Sequence, residues 1–193
     1  YIGPDKQDPD LQTKAQIVNA SGAYLMPGMA EMHVHLPSPE EQRKFFTLSL
    51  MGGVTTIRSM RGKPQHLELR KPLGYRIPHM YLGAPIITRF TPLDEKSADS
   101  IMHAYSTAGY DFIKVLDIKD SVSFITLMKY ARMYKLPVCG HMLYNLSLEC
   151  LLNNGYSTIE HLGGDIDASK KGQAYLNNIL ALTKANHIYQ CPT

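Results

Sequence analysis

The chain has 193 residues, of which 44% are hydrophobic and 19% charged, enough for one domain with a substantial core. Its formal net charge is +3 and the basic residues are spread out, which gives no reason to expect nucleic acid or a membrane surface as a partner. The three cysteines form no spaced pair, so neither a disulfide framework nor a cysteine-based zinc site is indicated. We expect a soluble protein with a small-molecule substrate; the compartment, cytoplasm or periplasm, and homo-oligomer formation are left open.

Residues 1–22 are polar and rich in turn dipeptides. They are interpreted as the tail of a separate small element, followed by a larger domain over residues 23–193. The chain begins at Tyr1 without an initiator methionine and stops abruptly after Pro192-Thr193. We therefore expect it to be a piece of a longer protein.

From residue 25 onward, predicted strands and helices alternate. Strands are predicted within residues 25–36, 54–57, 79–87, 112–116, 137–141, 156–161 and 187–191. Helices are predicted at residues 40–51, 97–108, 121–134, 147–153 and 175–186, and the charged block 61–76 is helix or loop. This alternation requires parallel pairing and fits either a (β/α)₈ barrel or a long doubly wound sheet. Because a full barrel takes about 250 residues, about seven βα units of a truncated barrel are the preferred interpretation.

Two histidines lie at the end of the first strand. His33 and His35 are two residues apart in an extended run that follows the turn at Pro27-Gly28, so their side chains project from one face. Two imidazoles on one face can supply nitrogen ligands to a metal. A His-x-His pair alone also fits two polar residues on a half-exposed strand, so the later histidines decide the interpretation.

Other polar residues lie at the ends of later strands. His141 ends the fifth strand, His161 ends the sixth, and Lys114 lies between apolar neighbours in the fourth. In a parallel barrel the carboxyl ends of the strands meet at one mouth, where the chemistry lies. Each residue alone has a structural explanation, as a core histidine or as a lysine that extends to solvent. Their convergence on one mouth favours a metal site.

Lys114 is the most informative of these residues. An ammonium group beside metal cations would be repelled, and burial already disfavours its charge. A neutral lysine amine can react with carbon dioxide to form a carbamate, an anion whose two oxygens can bridge two metal ions. This chemistry makes a buried lysine a sensible metal ligand.

Motifs along most of the chain occur in a characteristic order. They are residues 25–28 (LMPG) with 33–35 (HVH), 53–58 (GVTTIR), 108–114 (AGYDFIK), 140–141 (GH), 155–161 (GYSTIEH) and 191–193 (CPT). This set resembles the amidohydrolase superfamily, in particular its imidazolonepropionase-like and prolidase-like metal-dependent hydrolases. The resemblance extends from about residue 15 to the end of the chain, and the ordered combination is far more specific than His-x-His alone.

The resemblance implies a distorted (β/α)₈ barrel beside a small β-sandwich, with residues 1–22 as a remnant of that sandwich. It also implies two divalent metal ions, with zinc as the expected metal, and carbon dioxide for a carboxylated lysine. His33 and His35 would bind the more buried ion. Lys114, as a carbamate, would bridge both ions. His141 and His161 would bind the second ion, so that Lys114, His141 and His161 take the catalytic roles.

The implied reaction is hydrolysis of an amide or cyclic amide C–N bond in a dipeptide-like or imidazolone-like substrate. A hydroxide between the metals would attack the carbonyl group, which a metal ion polarises. The family's last ligand is an aspartate at the end of strand eight, which also serves as the base, and this chain stops at strand seven. No residue here takes that role, and we expect these 193 residues alone to be a poor catalyst.

Substrate binding is predicted for Tyr144 and Arg58, which lie near the expected mouth and could bind a substrate carboxylate. The alternatives are that Tyr144 packs on the following helix and that Arg58 pairs with a local carboxylate. Glu31 shares a strand face with the two histidines and could support them as an outer partner.

Two other functions fit parts of the pattern. A deaminase of the same superfamily would hold one metal ion, lack the bridging lysine and carry a glutamate three residues after the strand-five histidine. This chain has Lys114, and Tyr144 stands at that position, which favours the binuclear hydrolase. A barrel reused as a non-catalytic binding module usually loses its metal ligands, whereas the four histidines and the lysine are all present here.

Overall fold

The computed structural model describes residue 16 and residues 18–193. Seven short strands alternate with helices in this part of the chain. The strands are β1 (Met29–Val34), β2 (Val54–Ser59), β3 (His79–Leu82), β4 (Ile113–Val115), β5 (Val138–Gly140), β6 (Thr158–Glu160) and β7 (Tyr189–Cys191). The helices are α1 (Pro39–Met51), α2 (Glu95–Ala108), α3 (Ser121–Met133), α4 (Leu148–Asn153), α5 (Gly163–Lys170) and α6 (Gln173–Ala185), with a 3-10 helix over Pro64–Arg70. In these residues, no helix has the length and apolar character needed to cross a membrane.

The strands pair in chain order and all of them are parallel. One sheet has the order β1-β2-β3 and the other β4-β5-β6-β7. Two isolated parallel bridges, Gly83 to Phe112 and Ile87 to Val115, connect the end of β3 to β4. The predicted α/β architecture with parallel strands is confirmed. The two-domain division stays a prediction, since residues 1–15 and 17 lie outside the described residues.

Side-chain caps explain where several helices begin. Asp94, Asp120 and Ser147 accept hydrogen bonds from backbone N–H groups in the first turns of α2, α3 and α4. These bonds satisfy N–H groups that have no partner inside the helix. At its other end α2 stops at Gly109, whose φ of 87° is in the left-handed region that glycine adopts without strain.

The charged block 61–76, predicted as helix or loop, contains a 3-10 helix. Two elements differ from the sequence prediction. The third strand ends at Leu82 rather than at residue 87, and Gly83 beyond it forms an isolated bridge with Phe112. Helix α5 was not predicted, since it begins with Gly163 and Gly164 and glycine disfavours the helical conformation.

The strands alternate between two buried environments. Ile113 and Val115 on β4 belong to the main hydrophobic core, which the helices cover, whereas Lys114 between them points to the opposite face. That inner face is also buried: Lys114 is only 1% exposed. The side chain of Arg58 on β2 contacts Glu160 on β6, so the strands curve around a shared interior. This curvature brings the strand ends together at the candidate site.

Candidate metal centre

The four predicted histidine ligands lie together at the carboxyl ends of β1, β5 and β6. The ring of His33 lies 5.5 Å from that of His35 and 4.6 Å from that of His161, measured between centroids. The rings of His141 and His161 are 4.9 Å apart. Side chains more than 100 positions apart in sequence therefore form one contiguous cluster of imidazoles.

Lys114 is buried beside this cluster. Among the described residues its Nζ atom has no hydrogen-bond partner. Burial lowers the pKa of this amine, and the negative charge of Glu160 opposes that effect only in part. An unpaired ammonium group in such a position is costly in free energy. The site therefore disfavours the charged form of this amine.

Burial also sets the protonation of the histidines. It is the largest cause that lowers the pKa of His33, His35 and His141. The pKa of His141 falls to about 4. These imidazoles are therefore neutral at pH 7, which is the form that binds metal ions.

A buried ion pair between Arg58 and Glu160 contacts His33. Glu160 Oε2 is 2.8 Å from His33 Nδ1, and Glu160 Oε1 is 2.5 Å from Arg58 Nη2. Arg58 also donates from Nε to the carbonyl oxygen of Met32 at 2.7 Å and from Nη1 to Thr158 Oγ1 at 3.3 Å. We call these contacts the Arg58–Glu160–His33 chain.

The Arg58–Glu160–His33 chain assigns contacts to one residue that the sequence analysis named and to one that it missed. Arg58 was named as a substrate-binding residue, and its observed contacts are those of the alternative, pairing with a nearby carboxylate. Sequence reasoning missed Glu160, although strand alternation places it on the same face as Thr158 and a buried carboxylate needs a cationic partner. Glu31 instead accepts a hydrogen bond from the backbone N–H of His33.

The backbone after β6 holds His161 in an uncommon conformation. His161 and Leu162 have φ values of 66° and 54°, so two consecutive non-glycine residues are in the left-handed region. The Nδ1 atom of His161 lies 2.8 Å from Thr193 Oγ1. Such strain costs of order 1–3 kcal/mol per residue and concentrates at functional sites. Here it turns the imidazole of His161 toward those of His33 and His141.

Two connected clefts open from the cluster. The first, of about 550 Å³, is lined by His35, Lys114, Leu116 and His141. The second, of about 790 Å³, shares Leu116 and His141 with the first and extends over the loops after β3, β4 and β5. Tyr144 lines the second cleft, near His141 as the sequence predicts.

Arg89 is a further cation in the second cleft that sequence reasoning missed. The Nε and the backbone N–H of Arg89 both donate hydrogen bonds to Asp117, each at 2.6 Å. This pairing fixes the position of the guanidinium group at the cleft wall. Arg89 lies in a loop with no motif around it, so the sequence offered no signal for it.

Solved structures provide the comparison. No protein-family profile matches the chain, and no curated protein matches its sequence. A bottromycin amidohydrolase superposes with a TM-score of 0.65 at 22% identity, covering 86% of this chain and 41% of that protein. The matched part of the chain shares the fold of that protein. This confirms the predicted resemblance at the level of the fold.

Two further solved structures match a similar share of the chain. A Xaa-Pro dipeptidase with methionine bound in its active site gives a TM-score of 0.63 at 15% identity, covering 86% of this chain and 53% of that one. The ochratoxinase of A. niger gives 0.65 at 13% identity, covering 87% and 52%. The chain thus spans about half the length of these proteins or less.

Proposed function

We propose that the protein is a hydrolase of amide or cyclic amide C–N bonds that uses two divalent metal ions. The observation that carries the proposal is Lys114, a buried amine without a hydrogen-bond partner among the described residues, which lines a cleft together with His35 and His141. A lysine with a purely structural role would be expected to pair with a carboxylate or reach solvent. Amidohydrolases and a dipeptidase among the solved structures with this fold support the same reaction class.

The donor set fits the group that the proposal requires. His33 and His35 would hold the more buried ion, His141 and His161 the other, and a carbamate on Lys114 would bridge them. Imidazole nitrogens and carboxylate-type oxygens suit zinc. When bound, the two ions would activate water and polarise the substrate carbonyl. Carbon dioxide is needed only to form the carbamate.

The clefts support a dipeptide-like substrate. Beside His141 the larger cleft is lined by Tyr144 and by Arg89, whose Nε is paired with Asp117. A guanidinium and a phenol are good donors to a carboxylate. We assign the substrate carboxylate to Arg89 and Tyr144 rather than to Arg58, whose donors are engaged in the Arg58–Glu160–His33 chain.

We also propose that an eighth strand between β1 and β7 closes the barrel. A gap of about 490 Å³ lies there, lined by Met32 and Gln190 among other residues. Both polar side-chain atoms of Gln190 are buried and lack hydrogen-bond partners among the described residues. A strand in this gap would supply those partners, and it would be the place for the aspartate that the resemblance implies.

Metal content tests the proposed function. The full-length protein, which would include the predicted eighth strand, is expected to hold about two ions per chain when it is prepared with ¹³C-bicarbonate and without chelator. It is also expected to show a ¹³C carbamate signal and to hydrolyse dipeptides or N-acyl amino acids. K114A is expected to lose the carbamate signal and at least one ion. Its kcat/KM should fall by more than about 100-fold, beyond the range seen for outer partners of metal ligands.

The matched control is K129A, which removes an exposed lysine on α3 and should change none of these quantities. Full metal content and activity in K114A would contradict the assignment of the carbamate. One ion per wild-type chain would favour a deaminase instead, and none would favour a binding module, so either result would overturn the binuclear hydrolase.

A further inference from the structure

We infer that Glu160 and Arg58 are positioning residues of the metal centre. Glu160 holds His33 in the tautomer whose Nε2 is free to bind a metal ion, and Arg58 holds Glu160 in place. The inference rests on the proposed function, because it concerns metal binding by His33. Its evidence, however, is the geometry of the Arg58–Glu160–His33 chain.

The contact between His33 and Glu160 defines the tautomer. An ionised carboxylate can only accept hydrogen bonds, so at 2.8 Å from Glu160 Oε2 the Nδ1 atom of His33 must carry the proton. Nε2 then has its lone pair available. A neutral imidazole without such a partner distributes its proton between both nitrogens and spends part of its time in the form that cannot bind through Nε2.

Arg58 fixes the orientation of the buried Glu160 carboxylate. Its guanidinium lies 2.5 Å from the second oxygen, Oε1. Both oxygens of Glu160 are therefore engaged by partners, one by a guanidinium and one by an imidazole. Arg58 thereby holds Oε2 toward Nδ1 of His33.

The same guanidinium fixes the distance between ligand strands. Arg58 lies on β2 and donates to Met32 on β1 and to Thr158 on β6. It thereby ties together the strands that carry His33 and lead into His161, whose rings are 4.6 Å apart. The Arg58–Glu160–His33 chain thus sets the tautomer of His33 and the distance between His33 and His161.

Glu160 itself is not assigned as a ligand. The donor atoms of His33, Glu160 and Cys191 lie within 4.8 Å of one another, a distance compatible with a metal ion. A cation placed among them would face the guanidinium of Arg58 at hydrogen-bond distance from the same carboxylate. Like charges at that separation repel strongly in a buried site, so this group of atoms supports a metal centre and does not form one.

The test reads the tautomer in metal-free protein by ¹⁵N NMR of labelled histidine, with H33N to assign the signal. Wild-type His33 is expected to carry its proton on Nδ1, with slow exchange. E160Q should shift His33 toward a mixture of tautomers and raise the zinc dissociation constant about 10- to 100-fold, the range for outer partners of ligands. E95Q, which removes an exposed carboxylate on α2, should leave both quantities unchanged.

A second variant controls for misfolding of E160Q, in which the buried Arg58 keeps only a weaker partner. E160L/R58M removes both charges and fills the space with apolar atoms, and it should show the same tautomer change and the same loss of zinc affinity. Wild-type His33 protonated on Nε2, or wild-type zinc affinity in E160Q and the double variant, would overturn the inference. If the wild-type protein binds no metal, the proposed function fails, while the tautomer still decides whether Glu160 positions His33.

Discussion

Two arginines show how the surroundings of a residue decide its role. Arg58 is 9% exposed and all three nitrogens of its guanidinium donate hydrogen bonds to protein groups. Arg89 lies at the wall of an open cleft and spends only its Nε on Asp117. A buried, fully bonded guanidinium stabilises structure, whereas a fixed guanidinium at a cleft can bind an anionic ligand.

Arg89 provides a prediction about specificity. R89A is expected to raise KM for dipeptides with a free carboxylate by about 10-fold or more, since a hydrogen bond to a charged group contributes about 1.5–3 kcal/mol. The kcat should change little, because binding of a remote carboxylate contributes equally to ground and transition states. Steady-state kinetics with free and carboxyl-amidated dipeptides measure both effects.

The amidated substrates distinguish recognition from general damage. They lack the charge that Arg89 would bind, so their KM should be the same for R89A and the wild type. R132A, which removes an exposed arginine on α3, should alter neither substrate. An equal rise in KM for free and amidated dipeptides would contradict the carboxylate assignment.

At the scale of elements, the end of β5 is packed so closely that only glycine fits. Gly140 has a φ of 152°, and a Cβ there would lie 2.0 Å from the carbonyl oxygen of Val115 and 2.7 Å from the hydroxyl of Tyr156. The same hydroxyl donates to the carbonyl oxygen of His141 at 3.2 Å. The close approach of β4 and β5 therefore fixes the backbone position of His141.

We expect G140A to lower the free energy of unfolding by about 3 kcal/mol, because overpacking adds to the cost of the backbone conformation. The matched control is G74A, at a glycine with a φ of 71° and open space around it. It should cost only about 1 kcal/mol, the conformational part alone. Urea denaturation measures both, and equal losses would show that the contacts around Gly140 contribute nothing.

At the scale of the whole molecule, the interior of the curved sheet is a second protected environment. Met60, Phe112 and Cys139 form a small buried cluster there, separate from the core beneath the helices. Burial raises the pKa of the Cys139 thiol to about 12, and its Sγ contacts the carbonyl oxygen of Ile113 at 3.4 Å. This thiol should react only when the molecule unfolds.

Alkylation with iodoacetamide tests this protection. At pH 8 the half-buried Cys150 is expected to react in the native protein, whereas Cys139 should react only in denaturing urea. Raising the pH to 9 should not label native Cys139, because a raised thiol pKa means that the reactive thiolate stays scarce until the pH nears 12. Peptide mass spectrometry gives the extent of labelling, and native labelling of Cys139 as fast as Cys150 would indicate that the sheet opens locally.

The sequence by itself determined the alternation of strands and helices, because apolar periodicity and turn residues act over a few neighbours. It also predicted that the four histidines and Lys114 lie at one edge, since strand ends in a parallel arrangement must converge there; their role as metal ligands stays a prediction. The tertiary structure alone decided what local patterns do not encode: the pairing of Arg58 with Glu160, the cleft formed by three loops around Arg89, and helix α5 after a glycine pair. Those features depend on contacts between residues far apart in the chain, and such contacts arise only when the strands curve and bring their side chains together.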